Sequence, residues 1–94
     1  MSLARALKGF KYAVNIDLPM SSGVYLISRT EDGIEKPLYA EYSDNIAESI
    51  KAAFAKLEFK GGGISGFQYQ IYPTTNNKKG AAMAQELSLH CKHK

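Results

Sequence analysis

The chain has 94 residues, 45% of them hydrophobic and 22% charged, with a formal net charge of +3. That length sets an expectation of one domain, able to bury roughly 60% of its unfolded surface, and the composition excludes bulk disorder. No apolar run approaches the ~18 residues of a membrane-spanning helix, so no membrane partner is expected.

Residues 1–17 read as an N-terminal extension and residues 18–90 as the core of the single domain 1–94. The first eight residues lack the long apolar stretch and small-residue cleavage site of a secretory signal. Leu3, Ala6, Leu7 and Phe10 instead have helical spacing over 2–9. Tyr12 to Ile16 alternates weakly, and Leu18-Pro19 breaks the pattern. Gly23 to Ser28 is dense in β-branched and aromatic residues and predicts a buried strand. Asp32-Gly33 follows, a strong hairpin signal because Gly takes the positive φ the turn requires. The return strand is expected from Lys36 to Tyr42, with Pro37 at its start or on an edge, since proline cannot donate to a ladder.

Ser43 and Asp44 offer helix caps. Ile46, Ile50, Ala53, Phe54 and Leu57 then fall on one helical face. Lys60-Gly61-Gly62-Gly63 is a loop without the Gly-Lys-Ser/Thr ending of a phosphate-binding P-loop. Residues 66–73 alternate cleanly, which predicts a third strand with Phe67, Tyr69 and Ile71 on the core face. Ala81 to about Cys91 predicts a second helix. The fold class expected is α+β, a small three-stranded, mainly antiparallel sheet flanked by helices in the order ββαβα.

Cys91 is the only cysteine, which excludes an internal disulfide framework and fits a reducing, cytoplasmic setting. His90, Cys91 and His93 lack the second ligand pair of a zinc site. Charge is uneven: residues 1–50 carry five Lys/Arg against seven Asp/Glu, and residues 51–94 carry seven against two. A basic second half can attract phosphate backbones, and Lys56, Lys78 and Lys79 are the candidate nucleic-acid contacts.

Ser22-Gly23-Val24-Tyr25-Leu26-Ile27, then Leu38-Tyr39-Ala40-Glu41-Tyr42-Ser43-Asp44-Asn45-Ile46, and later Gln85-Glu86-Leu87-Ser88-Leu89, together resemble the GIY-YIG nuclease domain over about residues 18–90. The resemblance implies phosphodiester cleavage. In that chemistry tyrosine assists water attack, while a divalent ion on one glutamate and a helix arginine stabilise the phosphoryl charge. Tyr25 and Tyr39 match the two motif tyrosines, Tyr42 a further catalytic position, and Glu86 the ligand for Mg or Mn. Three positions depart from the family pattern. Glu41 stands where the second motif has glycine, Ser49 where the helix arginine belongs, and residues 87–94 contain no late Asn. A serine hydroxyl carries neither the permanent charge nor the two-pronged phosphate contact of arginine. Lys56 lies about 10 Å farther along the same helix, too far to replace it.

The expectation is therefore a catalytically degenerate domain that binds DNA, another nucleic acid or a partner without cutting, and needs no cofactor. One alternative is an active, divergent metal-dependent endonuclease using Mg or Mn. The other is a protein-interaction or homo-oligomeric module whose six tyrosines supply interface anchors.

Overall fold

The computed structural model describes residues 5, 7–13, 17–59 and 67–91. Of the helix expected over 2–9, residues 2–4 and 6 lie outside the described residues, as do the glycine loop and His93. Among the described residues six elements follow in order: β1 (Lys11–Ala13), β2 (Gly23–Glu31), β3 (Ile34–Ser43), α1 (Ile46–Phe59), β4 (Phe67–Pro73) and α2 (Asn77–Ser88). The sheet has four antiparallel strands in the order β1-β4-β2-β3. This corrects the three-strand expectation. Lys11 to Ala13 is too short to announce itself by alternation, and becomes a strand by pairing with Tyr69 to Ile71 of β4.

The hairpin forms where its turn chemistry places it. Asp32 and Gly33 have φ of 54° and 78°, the two consecutive positive values of a two-residue turn whose twist matches the flanking strands. β3 is an edge strand, and the register shifts between Ile27 and Ser28, so that Tyr39 opposes Ile27 while Pro37 opposes Ser28. The shift beside Pro37 interrupts the edge, which suits a residue with no N–H to donate.

The chain caps α1 with Asn45, one residue later than expected, whose Oδ1 accepts from the Glu48 N–H at 3.1 Å. Two further first-turn donors are used internally, Ile46 N–H to Ser21 O and Ala47 N–H to Pro19 O. Ile46, Ile50 and Ala53 bury against Tyr25, Ile27, Tyr69 and Ile71 on one sheet face. The side chains of Phe54, Lys56, Leu57 and Phe67 lie outside the described set. On the opposite face, Ala84 and Leu87 of α2 pack on Val24 with Ala40, Tyr42 and Tyr72.

Both faces are therefore covered, and β2 between them is buried from Gly23 to Ser28. Two glycines permit this closeness. A Cβ at Gly23 would meet Tyr72 O at 2.5 Å and Ile46 Cδ1 at 2.8 Å, and one at Gly80 would overlap the Tyr42 ring. No helix among the described residues is long and apolar enough to cross a membrane.

Candidate functional site

Strand parity decides which candidate residues meet. Tyr39, Glu41 and Ser43 alternate onto the sheet face that α1 covers, and Tyr25 joins them because it stands directly across from Glu41. The Tyr25 and Tyr39 rings stack diagonally across the hairpin, 6.0 Å between centroids and 29° between planes. Tyr25 is 1% exposed. Its hydroxyl donates to Glu41 Oε1 at 2.9 Å, while the Tyr39 hydroxyl donates to Glu41 Oε2 at 3.3 Å. One carboxylate thus receives both motif phenols.

The electrostatics follow from that geometry. Burial, reinforced by the hydrogen bond to anionic Glu41, raises the Tyr25 phenol well above its ordinary value. Burial and then the Glu41 charge raise Tyr39 as well. Desolvation and a neighbouring carboxylate both disfavour tyrosinate. A tyrosine acting as base needs the opposite shift. Both phenols are neutral hydrogen-bond donors at neutral pH.

Ser49 lies on the side of α1 turned toward the end of β3. Its hydroxyl shares a short hydrogen bond with the Ser43 hydroxyl, and Ser43 is the next residue on Glu41's side of the strand. The helix position expected to supply a cation therefore meets the end of β3 with a small neutral group. Glu48, beside it in sequence, is exposed. A phosphate brought to this corner would meet the Glu41 carboxylate, whose repulsion grows as water is excluded. The α1 terminus offers little compensation, because its first-turn N–H groups at Ile46, Ala47 and Glu48 already have acceptors within the chain.

Other candidates lie elsewhere. Tyr42 is three residues from Tyr39 and so points to the opposite sheet face, where its hydroxyl donates to Asn77 Oδ1 at 2.7 Å and its ring packs on Gly80. Glu86 is on α2, on that same side, outside the Gly80–Ala84–Leu87 row that meets the sheet. The sheet separates it from Tyr25 and Tyr39. Lys78 and Lys79 occupy the first turn of α2, both exposed. Lys79 Nζ sits 5.7 Å from the Tyr72 ring centroid, and Asn76 caps the helix through the Lys79 N–H. Among the described residues, no three His, Cys, Asp or Glu side chains come together as a metal group.

Reasoning from the sequence places Glu41 where the second motif has glycine and misses that it accepts from both tyrosines. The signal was available, since Glu41 is two residues beyond Tyr39 and directly across the hairpin from Tyr25. Comparison with protein-family models, curated proteins and solved structures finds no match for this chain.

Proposed function

We propose that the chain is a GIY-YIG nuclease-like domain that binds nucleic acid without cleaving it. The observation that carries this reading is the Glu41 carboxylate accepting from both Tyr25 and Tyr39. A tyrosine committed to a carboxylate does not activate water, and the carboxylate repels the phosphate that cleavage would require. Ser49 in place of a guanidinium removes one positive charge that would stabilise a phosphoryl transition state, and Glu86, across the sheet from the tyrosines, would hold a divalent ion away from them. Binding itself needs no metal.

Contact with a phosphate backbone falls to the basic second half of the chain. Exposed Lys78 and Lys79 in the first turn of α2 add two positive charges to a helix end whose peptide dipoles already favour anions. The expected Lys56 contact belongs to the same proposal, with its side chain outside the described set. The lone buried Cys91 fits a cytoplasmic setting.

Fluorescence anisotropy with duplex and branched DNA tests this directly. Binding should weaken as salt rises, and replacing both Lys78 and Lys79 with Ala should reduce the logarithmic salt slope by about 1–2. No binding at low salt would remove nucleic acid as the partner. The protein-contact alternative draws on β3 being an edge strand, with Ile34 exposed at its start. Concentration-dependent sedimentation without DNA binding would favour it.

A further inference from the structure

We propose that the sheet face turned away from α1 carries a receptor for a guanidinium group, built from Glu35, Gln68 and Gln70. All four strands contribute to it. On that face Gln70 of β4 stands directly across from Tyr12 of β1, and Gln68 stands directly across from Ser28 of β2. Glu35 of β3 ties the two rows together. Its Oε2 accepts from the Ser28 hydroxyl at 2.8 Å and its Oε1 from the Tyr12 hydroxyl at 3.4 Å.

The hydroxyl protons at hand are already committed. A serine or tyrosine hydroxyl has one proton to give, and Ser28 and Tyr12 both give theirs to Glu35. The side-chain oxygens of Gln68 and Gln70 are buried and have no hydrogen-bond partner among the described residues. Gln70 is only 6% exposed and Ser28 fully buried. A buried amide oxygen left unpaired is destabilising, and a donor arriving from outside would satisfy both. Tyr12, 66% exposed, marks the open side of the cluster.

The chemistry of that donor follows from charge and spread. The Glu35 carboxylate selects a cation. Gln68 and Gln70, two residues apart on one strand, start about 7 Å from each other. A metal ion needs its oxygens within about 2.6 Å of one point, whereas a planar guanidinium presents five N–H groups over a wider fan. The group would come from a free small molecule or from an arginine side chain of another chain.

Heteronuclear NMR of the full chain decides between these, with agmatine, a blocked tripeptide containing one arginine, tetramethylammonium and calcium as probes. Saturable shifts of the Gln68 and Gln70 side-chain amides with a guanidinium probe are expected, and Glu35→Gln should weaken them at least ~10-fold. Agmatine saturating first assigns the site to a small molecule; the tripeptide saturating at lower concentration assigns it to a partner's arginine. Gln70→Leu should abolish the shifts while raising the thermal midpoint, because it removes an unpaired buried acceptor. Three results would overturn the proposal: equal shifts with tetramethylammonium, saturation by calcium alone, or affinity unchanged in Glu35→Gln.

Discussion

At the scale of single residues, the chain's most informative contact is the carboxylate shared by two phenols. Glu41 takes the position where the resemblance calls for glycine, and it turns two prospective catalytic groups into structural donors. Removing it should take from the buried Tyr25 hydroxyl its carboxylate acceptor and leave only the neighbouring Tyr39 oxygen. Glu41→Ala is expected to cost about 1–2 kcal/mol, while Tyr25→Phe, which removes the donor and leaves Glu41 to water, should cost less. Urea unfolding of both variants checks the ordering, and the reverse order would contradict the assigned roles. Titration adds a second check. Burial pushes the Cys91 thiol from its ordinary 9.0 up to about 11, and burial with the Glu41 contact raises Tyr25 above its ordinary 10.0. Both groups are held in their neutral, protonated forms when folded. Their contribution is therefore complete below pH 9 and declines as pH rises, first through Cys91 between 9 and about 11 and then through the tyrosines. Cys91→Ala should delay the onset of the decline, and a stability that falls between pH 7 and 9 would not fit these groups.

At the scale of elements, turn chemistry and helical periodicity were legible because they are local. Asp32-Gly33 announces its turn, and the Ile46–Ile50–Ala53 row announces the buried face of α1. Gly33 has nothing within 4 Å of where a Cβ would sit, but its φ is +78°. Gly33→Ala should therefore cost about 1 kcal/mol through backbone strain alone. Gly80 is a contrasting case, a glycine inside a helix. Alanine there would ordinarily gain about 1 kcal/mol, yet its Cβ would overlap the Tyr42 ring. Gly80→Ala should destabilise, and Gly80→Ala combined with Tyr42→Ala should recover part of the loss. Chemical denaturation reads both, and a stabilised Gly80→Ala single variant would refute the packing argument. What was illegible was non-local. Three residues of β1 have no strand signature until β4 pairs with them. The polar side of β4 reads as solvent-facing by alternation, yet Gln70 is buried because both faces of the sheet are covered.

At the scale of the whole molecule, the sheet divides the candidate site. Periodicity identified α2 as a helix but carried no information on which face it would pack against, so Glu86 was grouped with Tyr25 and Tyr39 although the sheet lies between them. Tyr42 was misgrouped for a simpler reason: three residues along a strand from Tyr39 means the opposite face. The Tyr25–Tyr39 pairing and the neutral group at Ser49, in contrast, were readable from the hairpin and helix positions. The four-stranded sheet thus holds Tyr25 and Tyr39 on one face through the Glu41 carboxylate, with exposed Lys78 and Lys79 on the α2 side. Binding of nucleic acid without cleavage is what we propose for it. Electrophoresis of labelled branched DNA with the full chain, at low salt in Mg and again in Mn, tests that account most directly. It predicts a retarded band of intact DNA that weakens in the Lys78→Ala, Lys79→Ala double variant. Shortened DNA fragments, lost in Glu86→Ala and Tyr25→Phe, would contradict it.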